Sequence, residues 1–83
     1  MKLPRAVSGD ELAAALVRAF GYIPTRQVGS HARLTCRTDA GEHHVTVPRH
    51  DALHVGTFAR IINDVAMFHQ LDRQTVIGRL FPR

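Results

Sequence analysis

Apolar positions near the start of the chain recur at helical spacing: Leu12, Leu16 and Phe20 stand four residues apart, with Ala13 and Val17 beside them. Ser8-Gly9-Asp10-Glu11 in front of them has the S-x-x-E pattern of a capping box, and Gly21 behind them suits a left-handed cap. A first helix over residues 9–20 follows. The pattern then changes period. Tyr22, Ile23, Thr25 and Val28 favour extended structure, but Pro24 lacks the amide of a central strand, so residues 22–28 are expected as an edge or irregular strand. His31 to Arg37 alternates cleanly, with Ala32, Leu34 and Cys36 on one side and His31, Arg33, Thr35 and Arg37 on the other. Thr38-Asp39-Ala40-Gly41 has turn chemistry, and His43 to Val47 resumes a strand with Val45 and Val47 opposite His44 and Thr46. Pro48 ends that ladder. Residues 49–55 read as a loop, Gly56-Thr57 as the cap of a second helix, and Phe58, Ile61, Ile62, Val65 and Ala66 as its buried stripe. Asp72 is positioned to cap a short last helix carrying Val76, Ile77, Leu80 and Phe81, closed by Pro82.

This order, helix, three strands, then one or two helices, predicts an α+β fold: a three-stranded antiparallel sheet with helices on one face, α-β-β-β-α(-α). At 83 residues the chain holds one two-layer core, so residues 1–83 are read as a single domain. With 45% apolar and 22% charged residues it is too hydrophobic for a disordered tail, and no apolar run approaches the roughly 20 residues of a membrane span. Ser8, Gly9, Asp10 and Glu11 interrupt any export signal, and the lone Cys36 makes no internal disulfide, so a cytoplasmic location is expected.

The predicted strands leave one wet sheet face bearing His31, Arg33, Thr35, Arg37, His44 and Thr46. Charge sharpens the picture. The formal charge is +4, and of the 11 basic residues every one except Lys2 is arginine, whose planar fork suits phosphates and stacks on bases. A solvated arginine face would give the same composition. His43, His44, His50 and His54 invite a metal reading, but an H-x-x-x-H pair aligns only on a helix and no carboxylate or thiolate set completes a tetrahedron, so these histidines read as solvated or RNA-contacting. No cofactor is expected. Cys36 falls on the core side of its strand as inert packing.

Several blocks in order carry a resemblance to a known family. Leu3-Pro4-Arg5 with Val7-Ser8-Gly9, then Arg26-Gln27-Val28-Gly29-Ser30-His31, then Val45-Thr46-Val47-Pro48 with His50, then Gly56 to Ile62, resemble the HicA toxins to about Ala66. The resemblance implies a fold similar to double-stranded RNA-binding domains and a ribonuclease that inactivates mRNA as the toxin of a toxin–antitoxin system. It also implies a HicB antitoxin as protein partner. The family's catalytic histidine lies in the Gly-Ser-His block and falls on His31. Metal-free RNA cleavage by the 2′-hydroxyl needs proton transfer and cations, and imidazole suits the first task; the second acid or base is left open among His50, His44 and His31 acting alone with Arg33. Arg26, Ser30, Arg33, Arg37, Arg49 and His50 are the expected RNA contacts, and Arg60 is placed to meet phosphate at the second helix's N-terminus. The chain departs from the family at Pro24, in the loop of residues 51–55, which is not lysine-rich, and from Met67 onward. Two other readings fit the residues: a non-catalytic module holding structured RNA, and an interaction subunit docking an acidic partner.

Overall fold

A computed structural model describes residues 6–82; the Leu3-Pro4-Arg5 block lies outside them. Helix α1 spans Gly9–Phe20, strands β1, β2 and β3 span Ile23–Val28, His31–Thr38 and Gly41–Pro48, and helices α2 and α3 span Val55–His69 and Arg73–Leu80. The strands pair antiparallel in the order β1-β2-β3, and α1 and α2 pack on one side of the sheet while α3 packs on the two helices. The expected α+β architecture is therefore the observed one.

Helix α1 begins as its local sequence dictates. The Ser8 hydroxyl accepts from the Glu11 amide and the Glu11 carboxylate accepts from the Ser8 amide, both at 3.0 Å. Gly21 adopts φ +74° and turns the chain so that the Tyr22 amide reaches the Leu16 carbonyl at 3.3 Å. Asp72 caps α3 through the Thr75 amide at 2.7 Å, and that bond holds the Asp72 carboxyl below its ordinary value.

Helix α2 starts three residues earlier than a Thr57 cap suggests. Its N-cap is His54, with no side-chain cap bond, and Thr57 lies inside the first turn. What fixes the entry is apolar and backbone contact: the Leu53 amide bonds to the Val7 carbonyl at 2.8 Å, and Leu53 packs against the core. Leu53 and Phe58 occupy the N′ and N4 positions of a hydrophobic staple. A polar cap is dispensable when the residue before it is anchored this way.

The core is built from one face of each element: Leu12, Ala15 and Leu16 of α1, Leu34, Cys36, Val45 and Val47 of the sheet, Phe58, Ile61, Ile62 and Val65 of α2, and Val76 and Leu80 of α3. Arg18 ties α1 to the end of α3 by donating to the Leu80 carbonyl at 2.6 Å. Burial pushes the Cys36 thiol's pKa up, consistent with packing and not nucleophilic chemistry.

One polar cluster sits within this layer, and it corrects the reading of His43 as a solvated histidine. Tyr22, 1% exposed, places its hydroxyl 2.7 Å from His43 Nδ1 and 3.1 Å from His69 Nε2. His43 stacks on Phe68, and Phe20 tilts against His69, with ring centroids 4.9 Å apart in each case. A hydroxyl has one proton, so Tyr22 donates to one imidazole and accepts from the other. Burial lowers both histidine pKa values; the neighbouring His44 lowers that of His43 further and Asp64 opposes it, while His43 and Arg79 both depress His69. Burial also raises the Tyr22 pKa, with the nearby Cys36 adding to the rise, so Tyr22 stays a neutral donor.

This cluster makes stability depend on pH in a set direction. A histidine whose folded pKa is depressed binds its proton more readily when unfolded, so its stabilisation is complete above the unfolded value near 6.5 and is lost as pH falls below it, down through the folded value. Thermal unfolding followed by circular dichroism should be flat above about pH 7 and fall steadily below about pH 6.5. Tyr22→Phe strands two imidazoles and should cost roughly 1–3 kcal/mol at neutral pH. A midpoint that rises on acidification would contradict this assignment.

Candidate RNA-binding face

The face of the sheet turned away from the helices carries the residues singled out above, and the strand register sets them in rows. Val28, His31 and Pro48 stand side by side across the three strands; Arg26, Arg33 and Thr46 form the next row; Thr35 and His44 pair in the third, and Arg37 and Glu42 in the fourth. Alternation puts the residues of β2 and β3 there. In β1 a register shift between Pro24 and Arg26 bulges Thr25 out of the ladder, so Thr25 and Arg26 both reach this face. Pro24 is tolerated because β1 is an edge strand.

His31 opens β2 directly after the two-residue turn Gly29-Ser30. Gly29 adopts φ +58° and Ser30 does not share the positive φ, the type II′ pattern that a leading glycine allows. The imidazole is exposed and makes no hydrogen bond or ion pair among the described residues. It lines a shallow groove of about 190 Å³ with Arg26, Val28, Arg33 and Thr46. A second groove of about 290 Å³ continues from it, sharing Arg26 and Arg33 and adding Thr25, Thr35, Arg37 and His44.

Arg26 and Arg33 face each other directly across β1 and β2, and neither has a carboxylate partner among the described residues. Two like charges in register destabilise a sheet. The arrangement is one that an anion would relieve. Arg37 differs: it is exposed but bonded to Glu42, which holds the Glu42 carboxyl below its ordinary value.

The other expected contacts are distributed elsewhere. Ser30 lies in the turn, exposed, and its carbonyl accepts from the Arg49 amide at 2.6 Å. The Arg49 guanidinium is engaged with Asp10 at the start of α1, Nε to Oδ1 at 2.7 Å, which lowers the Asp10 pKa and raises that of Arg49. His50 is exposed, with its carbonyl held by the Gly9 amide at 2.8 Å. Arg60 lies one turn into α2 and pairs with Asp64 at 3.9 Å, both exposed. Among the described residues no group of three His, Cys, Asp or Glu side chains could hold a metal ion, and no helix is long and apolar enough to cross a membrane.

Against protein families, residues 9–67 match the model of the HicA toxin of bacterial toxin–antitoxin systems, which covers more than half of the chain and takes in α1, the sheet and most of α2. The chain belongs to the HicA toxin family. Neither curated proteins nor solved structures give a match. HicA membership makes the chain a toxin-type component and implies an antitoxin partner. The matched span contains His31, Arg26 and Arg33 and ends at Met67, where the sequence itself departs from the family pattern, so α3 lies beyond it.

Proposed function

We propose that this HicA-family chain is an endoribonuclease that cuts mRNA and is neutralised by a HicB-like antitoxin. The observation that supports it best is an exposed His31, without a hydrogen bond or ion pair among the described residues, in a groove shared with the mutually repelling Arg26–Arg33 pair. The 2′-hydroxyl of the substrate gives its proton to the His31 imidazole as its oxygen attacks the adjacent phosphorus. The bond from phosphorus to the 5′-oxygen breaks, leaving a 2′,3′-cyclic phosphate and a 5′-hydroxyl protonated by water in the open groove. Arg33 and Arg26 stabilise the charge that builds on the phosphoryl oxygens.

His44 does not fit the second acid–base role. It pairs with Thr35, four residues along β2 from His31, a separation of roughly 13 Å at ~3.3 Å per residue. Its two ring nitrogens are also engaged, by Thr35 and by Glu42. With His44 set aside, the second role falls to the exposed His50 or to His31 acting alone with Arg33 beside it. An acidic antitoxin laid over the arginine-rich face would shield His31 and Arg33.

The test is to incubate the purified chain with mRNA, with and without a chelator, and to analyse the product ends. Cleavage that survives chelation and leaves 2′,3′-cyclic phosphate ends is the expected result; binding without cleavage would put a non-catalytic RNA module in its place. Arg26→Gln supplies a second check of opposite sign. It should weaken RNA binding and reduce the slope of log affinity against log salt by about 1. Relief of the like-charge pair should leave folding stability unchanged or raised by about 0.2–1 kcal/mol.

A further inference from the structure

The far end of the groove is built differently from the His31 end. Thr35, a polar side chain only 7% exposed, holds its hydroxyl 2.9 Å from Thr25 Oγ1 and 2.9 Å from His44 Nδ1. His44 Nε2 lies 3.1 Å from Glu42 Oε1, and Glu42 in turn is fixed by Arg37. The chain of bonds from Glu42 through His44 and Thr35 to Thr25 locks the imidazole in place. The order of carboxylate, imidazole and hydroxyl could suggest a second nucleophile, but the Thr35 hydroxyl is buried and already shared with Thr25. The His44 side chain is nevertheless 40% exposed. With both ring nitrogens occupied, the part it presents is the carbon surface of an oriented aromatic ring.

We propose that this end is a nucleotide subsite of the same RNA-binding groove, in which a base stacks on the His44 ring and the ribose meets the Thr25 hydroxyl. The inference rests on the ribonuclease reading of His31 and extends it. The roughly 13 Å between the His31 and His44 rows corresponds to about two nucleotides of an extended single strand. The Arg26–Arg33 pair lies in the row between and lines both grooves, where the intervening phosphate would run. Base stacking on an aromatic ring is sequence-tolerant, whereas a 2′-hydroxyl contact favours RNA over DNA. His44 and Thr35 therefore act on binding and register, not on bond cleavage.

The experiment measures affinity for fluorescent oligoadenylates too short to span both rows, about two nucleotides, and long enough to do so, about seven. A His31→Ala background prevents cleavage. The parent should gain about tenfold in affinity from the short to the long probe beyond what added charge gives, the charge part being judged from the slope of log affinity against log salt at each length. His44→Ala should shrink that step to about twofold, and Thr35→Val, which keeps the volume but frees the ring, should give an intermediate loss. His44 is exposed, so its removal leaves the fold intact. An equal loss at both lengths, or no loss at either, overturns the subsite even if the wild-type chain cuts RNA. Absence of binding at every length removes the ribonuclease reading and the subsite with it.

Discussion

His31→Ala is expected to slow RNA cleavage by about 10²–10⁴-fold, the usual worth of a positioned acid–base group. The loss should fall on the chemical step. His31 is exposed and contributes no hydrogen bond or ion pair among the described residues, so its removal costs little folding stability. Single-turnover cleavage at saturating protein isolates the rate, and anisotropy with an uncleavable RNA isolates binding. The rate should collapse with affinity changed by less than about threefold, whereas Arg26→Gln should chiefly weaken affinity and its salt dependence. Induced in a bacterial host, the wild-type chain should arrest growth and degrade mRNA while a folded His31→Ala chain does neither. A variant that cuts at the wild-type rate would remove His31 from the chemistry and move attention to His50.

Such a division of labour was partly legible in the sequence because the strand parity that separates core from solvent is local. Alternation from His31 to Arg37 put Leu34 and Cys36 inward and the arginines outward, and the register agrees, but Thr35, expected on the wet face, is buried there with its hydroxyl bonded to Thr25 and His44. The same parity carries His43 to the core side with Val45 and Val47, yet grouping it with the other histidines by residue type hid this. Tyr22 and His69 complete its cluster from 21 residues before it and, for the longer of the two Tyr22 bonds, 47 residues after Tyr22, separations that no pattern in one sequence reveals. Helix α2 shows a second limit. A search for polar caps favours Thr57, while the element starts at Val55 because Leu53 is anchored apolarly. The arginines were readable as a group, but their fates were not. Arg49 is drawn to Asp10, Arg37 to Glu42 and Arg60 to Asp64, which leaves Arg26 and Arg33 as the pair set in register beside His31.

Gly9→Ala is expected to destabilise the fold by about 2–4 kcal/mol, against the sign that helix propensity alone suggests. Alanine is the better helix former by about 1 kcal/mol in a helix interior, and Gly9 is the first residue of α1. A Cβ at this position, however, would sit 1.8 Å from the Pro48 carbonyl oxygen and 2.8 Å from Arg49 Cα. Both are backbone atoms at the end of β3, so no side chain can swing aside to make room. The start of α1 would have to back away from the sheet. That movement strains the Gly9 to His50 backbone bond and the Asp10–Arg49 pair, and both run beside the Ser30–Arg49 contact that frames the His31 turn. For a domain of this size the loss corresponds to a fall in melting temperature of roughly 10–25 °C. Gly56→Ala is the matched control: it also lies in the first turn of a helix, and a Cβ there meets nothing within 4 Å. It should raise stability by up to about 1 kcal/mol. Opposite signs for the two substitutions in parallel thermal melts would establish that the contact of α1 with the end of β3, and not helix propensity, dictates glycine at position 9; a neutral Gly9→Ala would mean that the two segments can separate without cost.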